Sequence, residues 1–448
     1  MSRSIKGSTP IGELDHWEGT TEVPISGGPQ QARDGAVRAR PVPVPTELVA
    51  ALEAELGAAV ELRHALHREP RRSGDEADSR DAVAAALGTT LEPVAGTGGM
   101  LRLGGPGPAV AVRGELDALP VTEATGLPFS SLREGTAHVC GHDVHTAALV
   151  ALTRAVRAVG PDVLGAPLLA VFQPREEAAP SGAADVVVAP EFRAHTPTAM
   201  LGVHVQPELP RGVVSARPGP VNASADEIEI RVHGSAGHGG YPHRTRDPVL
   251  ALAAVVVGLQ QIVARRVNPL EAGVVTIGQM TAGTAPNVVP AEASARGTVR
   301  ALDADRDAIL AAVREVVEHT AQAHGCRGEV TVVPNEPAVV NDEGLAAAIA
   351  ATLGGRRGDE RAAPTGLRLD TRFRSCGADD FSHYSAAGTP SVMLFVGTAA
   401  SDAVAGTVPG LHHPAFAPDD AMVGEVARAL LAAVVAAGPS LRAPQENP

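Results

Sequence analysis

The sequence predicts an α/β protein: a discontinuous α/β sandwich domain interrupted by an inserted ferredoxin-like β-α-β-β-α-β unit. Three observations lead there. Up to about residue 219, short apolar runs bounded by Gly or Pro alternate with helical patterns. From Pro220 the pattern changes to residues alternating in and out, and after Asn335 the first character returns. The expected division is a loose tail over residues 1–44, a first domain over 45–219 and 336–440, and the insert over 220–335.

Leu48 to Leu66 has apolar residues at helical spacing, and Val83 to Leu91 continues it after a charged, turn-rich gap from Glu69 to Arg80. Two helices therefore open the fold. Ala109 to Arg113, Leu168 to Phe172 and Ala199 to Val203 read as buried parallel strands, with a helix from Thr146 to Val159 between the first two. That alternation puts ligands at strand ends. In the insert, Ile228, Ile230 and Val232 alternate with Glu229 and Arg231 as in a half-exposed strand. A helix (Pro248 to Arg265), two strands (Gly273 to Met280, Ala293 to Arg300), a helix (Ala304 to Ala323) and a strand (Gly325 to Val333) complete it. Helices at Gly344 to Leu353 and Asp419 to Ala437 flank a buried strand at Ser391 to Val396 in the returning segment.

At 448 residues the chain exceeds one ordinary core. The longest apolar run, near Val249 to Leu259, is about half of what a bilayer requires, so no membrane partner is expected. The first forty residues lack a basic start followed by an apolar stretch, and three scattered cysteines make no disulfide framework. A cytoplasmic protein is expected. The net charge of -14 and the scarcity of clustered Lys and Arg exclude a broad nucleic-acid surface, which leaves small molecules as partners.

The densest chemistry lies in Gly135-Thr-Ala-His-Val-Cys-Gly-His-Asp-Val-His145. Cys140 and His142 lie two apart, so an extended backbone would point both to one side, where thiolate and imidazole can share a borderline-soft cation. A plain helix start capped by Asp143 is the bland alternative. Asp117, at the end of the first buried strand, could orient a ligand imidazole or simply form a turn before Pro120. Glu176 and Glu177 follow the second strand, and neighbouring like charges there are costly unless a cation or a shared proton relieves them. One carboxylate can bind a cation while the other takes a proton from water; a solvated acidic loop is the alternative. His204 closes the third strand, and Leu411-His-His-Pro414 offers His412 and His413. Together Cys140, His142, Glu177, His204 and His412 supply enough ligands for two cations.

These residues resemble the two-metal aminoacylase and carboxypeptidase superfamily (peptidase family M20, amidohydrolase subgroup), and within it the hippurate hydrolase and indole-acetyl-amino-acid amidohydrolase branch. The landmarks are Glu115-Leu-Asp-Ala-Leu-Pro120, His138-Val-Cys-Gly-His-Asp-Val-His145, Gln173-Pro-Arg-Glu-Glu177, Gly202-Val-His204, Gly237-His-Gly-Gly-Tyr-Pro-His243, Asn287-Val-Val-Pro290, Asp379-Asp-Phe-Ser382 and Leu411-His412. The resemblance implies a catalytic first domain and a dimerising insert. It implies that Cys140 bridges two divalent cations (Zn or Mn first, Co or Ni as alternatives) completed by His142, Glu177, His204 and His412. Glu176 would be the general base with Asp117 in support, and His238 and Asn287 would bind substrate, His238 reaching across a homodimer. N-acyl amino acids are the implied substrates. A deacetylase or desuccinylase of a biosynthetic intermediate, a dipeptidase and a non-catalytic metal-binding relative are the competing readings. Three departures stand out: Glu69 to Asp81 lacks a His-Pro-Glu-Leu pattern, Asp379-Asp380 replaces Glu-Asp, and Leu411-His-His-Pro carries an extra histidine that leaves His413 as the alternative ligand to His412.

Overall fold

The computed structural model describes residues 39–354, 365–400 and 408–440, so most of the tail expected over 1–44 lies outside the described residues. Helix Thr46–Arg68 buries Leu48, Leu52, Ala59, Leu62 and Leu66 along one stripe. Helix Ala77–Leu87 begins inside the stretch expected to be a gap. Ser79, Val83 and Leu87 recur four apart on its buried face, so the charged residues between them are its solvent side.

Eight strands form one mixed sheet in the order 92–94, 98–103, 168–173, 109–115, 197–210, 391–399, 213–215, 368–370. Its centre, from 168–173 through 391–399, is parallel. Alternate residues of these strands enter two different cores: Val110, Val112, Leu168 and Ala170 pack with the helices 46–68, 142–159 and 421–440. Ala109, Ala111, Leu169 and Val171 pack instead with Ala183, Phe192 and Tyr384 from short helices on the opposite face. This is the expected α/β sandwich.

The chain leaves it for a second, antiparallel sheet ordered 273–282, 292–301, 224–233, 327–334. Ile228, Ile230 and Val232 turn inward against helices Pro248–Arg265 and Arg306–Ala323, capped by Asp247 and Asp305. With two helices crossing between its strands, this is the ferredoxin-like arrangement. The expectation that nothing is apolar enough to span a bilayer needs correction. Pro248–Arg265 and Ala421–Gly438 both qualify by length and composition, because an 18-residue stretch with hardly any charge tolerates interruptions such as Gln260-Gln261; 33% of the first is buried and 83% of the second, as in the core helix of a globular fold.

Asp143 does not cap its helix; it pairs with Arg63 Nε at 3.1 Å and His67 Nδ1 at 3.0 Å, joining helix Thr46–Arg68 to helix His142–Val159. His67 Nε2 meets Glu123 at 3.2 Å. Burial alone would lower the His67 imidazole, but hydrogen bonds and charge from Asp143 and Glu123 outweigh it and raise it to about 9. A raised pKa stabilises the fold fully below the ordinary histidine value and ceases to do so as pH rises through about 9. Thermal unfolding followed from pH 6 to 10 should therefore show a loss on the order of 3 kcal/mol, most of it between about pH 6.5 and 9, a decline that His67→Gln removes.

Candidate metal centre

The cluster forms where strand ends and one helix start converge. His142 is the first residue of helix His142–Val159, not part of an extended strand as the spacing suggested. The turn is made by Gly141 at φ 97°, where a Cβ would lie 2.4 Å from Val205 Cγ2. Only glycine fits both the left-handed backbone and that packing. Cys140 and His142 thus reach one site by a sharp turn.

Cys140 Sγ lies 3.4 Å from His204 Nε2, and His142 Nε2 lies 3.7 Å from Glu176 and 3.9 Å from Glu177. His412 Nε2 comes within 3.2 Å of Glu177 Oε1, whereas His413 Nδ1 faces its own loop and accepts from the Ala415 N–H. Among the described residues four groups have ligand atoms within 4.8 Å of one another: Cys140/His142/His204 and Cys140/Glu177/His412, which use only expected ligands, and His142/Glu176/Glu177 and Glu176/Asp379/Asp380, which add Glu176. All five expected ligands are brought together. Each buried imidazole is oriented by its other nitrogen: His142 Nδ1 donates to the Asp117 carbonyl at 2.9 Å and His204 Nδ1 to the Val205 carbonyl at 2.7 Å. Both therefore direct Nε2, the nitrogen left to meet a cation, into the cluster. His142 Nε2 is buried without a hydrogen-bond partner, which in a protein interior calls for a ligand.

Of the other imidazoles in this segment, His145 is committed elsewhere. Its Nε2 accepts the Val205 N–H at 2.9 Å and its Nδ1 donates to Glu115 at 3.0 Å. His138 is buried apart from the cluster, and burial depresses it to about 4. Asp117 supports the site through its carboxylate as well as its carbonyl, for Oδ2 accepts the Glu177 N–H at 2.9 Å and the Ser73 hydroxyl at 2.7 Å.

Three groups of the cluster hold on to protons, whereas burial and the neighbouring His145 depress the His204 imidazole to about 4. Burial and then the charges of Glu177, Asp379 and Asp380 push Glu176 well above the usual carboxylate range. Burial, Glu177 and Glu176 push the Cys140 thiol up. Burial would lower His142, yet the Asp117 hydrogen bond and the charges of Glu115, Asp117 and Glu177 raise it to about 10. These three hold protons because the pocket is short of positive charge, the deficit that divalent cations fill. A thiol, three imidazoles and a carboxylate form a mixed donor set suited to divalent transition-metal cations.

Asp379 and Asp380, which also approach Glu176, carried no role in the sequence reading. Arg113 grips Asp379 at 2.7 Å and Asp380 at 3.1 Å from within the first buried strand. An arginine ending an apolar run is the signal that could have pointed to them. His238 stands elsewhere, in the two-stranded pair Gly237–His238 and Val288–Val289, and Asn287 just before its second strand, where the Gly239 N–H donates to the Asn287 carbonyl at 2.8 Å. Among the described residues no hydrogen bond, ion pair or ring contact joins either to the cluster.

A model of peptidase family M20/M25/M40 matches residues 111–434. The chain belongs to this family. An N-acetylcysteine deacetylase from Bacillus subtilis is 33% identical over 369 residues, 81% of this chain and 92% of that protein. An N-acetyldiaminopimelate deacetylase from Exiguobacterium sibiricum is 34% identical over 316 residues, 69% of this chain and 79% of its own length. The crystal structure of a dinuclear metal-binding M20 peptidase from Bacillus subtilis aligns with a TM-score of 0.71 at 29% identity, covering 86% of this chain and 98% of that one. The M20 match runs from the first buried strand into the last helix and so spans both sheets.

Proposed function

We propose that this M20 protein is a metal-dependent amidohydrolase that cleaves the amide bond of N-acyl amino acids. The observation that carries the reading is the pair of ligand groups sharing Cys140, with Glu177, His142, His204 and His412 arranged around it. Support comes from the dinuclear relative and from two relatives named for removing acetyl groups from amino acids. The N-acetyldiaminopimelate deacetylase among them favours, as a second reading, an acetylated biosynthetic intermediate as substrate.

In this reading Cys140, His142, Glu177, His204 and His412 would hold two divalent cations, Zn or Mn in preference to Co or Ni, with Cys140 common to both ligand groups. When bound, the cations acidify water and polarise a carbonyl. Glu176 takes the proton of the attacking water and passes it to the amine nitrogen as the C–N bond breaks, releasing a carboxylic acid and an amine. Asp117 holds His142 and the Glu177 backbone while this happens. A cytoplasmic location fits three cysteines that are all unpaired.

Cation titration and turnover together test the assignment. Glu176→Gln should keep wild-type cation binding and lose about a hundred- to ten-thousandfold in kcat, the usual contribution of a general base. Cys140→Ser and Glu177→Gln should instead lose cation. Wild-type turnover in Glu176→Gln, or unchanged cation content in Cys140→Ser with activity intact, would overturn these roles.

We further infer a homodimer built on residues 220–335, in which His238 of one chain and its neighbour Asn287 bind substrate in the other chain's site. The outer strand Gly273–Ala282 is exposed over its last five residues, and the flanking apolar helix leaves Leu250 and Val257 in solvent. A twofold mate would cover both. His238→Ala and Glu176→Gln chains, each inactive, should regain part of the activity when subunits exchange. Exchange confirmed by mass with no recovered activity would rule out a shared site.

A further inference from the structure

The charged stretch between the first two helices, which matched no expected pattern, is hydrogen-bonded to three segments of the site. The Ala118 N–H donates to the Arg71 carbonyl at 2.7 Å, and Arg72 reaches Thr136 at 2.9 Å and the Gly135 carbonyl at 2.6 Å. Ser73 donates to Asp117, as already described. The fourth tie is made by Glu76, whose side chain is completely buried. Its Oε1 accepts the N–H of Gly74 at 2.8 Å and of Arg175 at 2.9 Å, and its Oε2 accepts the Thr97 hydroxyl at 2.5 Å.

Arg175 is the residue before Glu176, and its backbone stands at φ 53°, the left-handed region that a side chain disfavours. On its other side the Gly182 N–H donates to the Arg175 carbonyl at 2.8 Å, and a Cβ on Gly182 would collide with the Pro174 carbonyl at 1.6 Å. The chain is therefore bent sharply between the end of strand Leu168–Gln173 and the two carboxylates. A bend of this kind persists only where its surroundings hold it. The Arg175 N–H is held by a buried carboxylate, a stronger acceptor than a carbonyl.

We propose that Glu76 is a positioning residue: it holds Arg175 in the left-handed conformation that turns Glu176 and Glu177 into the site. It touches neither substrate nor cation. The proposal rests on the roles assigned above to Glu176 and Glu177 for its catalytic consequence, and on geometry alone for its structural one. Glutamine can keep the arrangement, since its carbonyl oxygen still accepts both N–H groups and its amide can donate to the Thr97 hydroxyl. Alanine cannot.

The test compares wild type, Glu76→Gln, Glu76→Ala and Glu76→Ala/Arg175→Gly by amide hydrogen exchange and by hydrolysis of the N-acyl amino acid that the wild type turns over fastest. Exchange at Arg175 should accelerate about tenfold or more in Glu76→Ala and stay near wild type in Glu76→Gln, as expected for loss of one buried hydrogen bond. In Glu76→Ala, kcat should fall about tenfold or more with KM within about twofold, since the carboxylate pair is displaced and the rest of the pocket is untouched. Glycine at position 175 adopts the same φ without a Cβ penalty and should restore at least about threefold of that kcat. Glu76→Asp, one methylene too short, replaces the alanine variant if that one folds poorly. Wild-type exchange at Arg175 in Glu76→Ala, a kcat within about twofold of wild type, or a loss that Arg175→Gly leaves unrecovered overturns the proposal. The exchange measurement needs no turnover, so a wild type that hydrolyses no amide would sink the activity proposed above and leave this inference to be decided on exchange alone.

Discussion

The buried guanidinium of Arg113 is the interaction on which the site is built. It lies within 2.6 Å of Glu115, 2.7 Å of Asp379 and 3.1 Å of Asp380, with none of the four side chains more than slightly exposed. Burying one charge costs several kcal/mol, so three carboxylates in one place are tolerable only around a cation that bonds to them directly. Removing that cation would leave them uncompensated. The same fork ties the first buried strand to the Asp379-Asp380 turn, and Asp380 in turn receives Gln173 and the Ala183 N–H. Glu115 passes the order on through His145 to the Val205 N–H, beside His204. One arginine thus sets the height of three strand ends relative to one another.

That network still carries more negative than positive charge. Its excess falls on Glu176, whose carboxyl is raised first by burial and then by Glu177, Asp379 and Asp380. The protein side of the cluster is therefore incomplete in charge as well as in hydrogen bonding, and both deficits point into the space between Cys140, His142, Glu177, His204 and His412. Backbone conformation follows the same logic. Among the described residues only Ala95, Arg175, Thr196 and His412 carry positive φ outside glycine, and two of these four adjoin or belong to the cluster. Strain gathered there, and offset by the Arg113 network and the brace around Glu76, is what holds ligands in place before a cation arrives.

Most of the architecture was legible in the sequence because its strands are short apolar runs and its helices have clean apolar stripes. The helix Pro248–Arg265 was read to the residue, since Asp247 and Pro248 mark its start chemically. Helix Ala77–Leu87 was clipped because charged side chains on its solvent face masked a stripe only three residues deep. The candidate ligands that the structure gathers were legible as residues for a different reason: Cys, His and paired Glu are conspicuous at the ends of apolar strands. What escaped acts through the backbone or through burial that composition does not reveal. Gly141 makes a turn where spacing suggested a strand, and Glu76 in a charged stretch looks solvated until its neighbours in space are known. His238 and Asn287 entered by resemblance alone, and the geometry of one chain leaves them apart from the cluster.

The central claim is that one pocket holds two cations on ligands already in place. Diffraction from crystals soaked in manganese, recorded above and below the manganese absorption edge, tests it most directly. Two anomalous peaks are expected in the space bounded by Cys140, His142, Glu177, His204 and His412, with Cys140 Sγ contacting both. A single peak, or peaks held by Glu176, Asp379 and Asp380 instead, would contradict it.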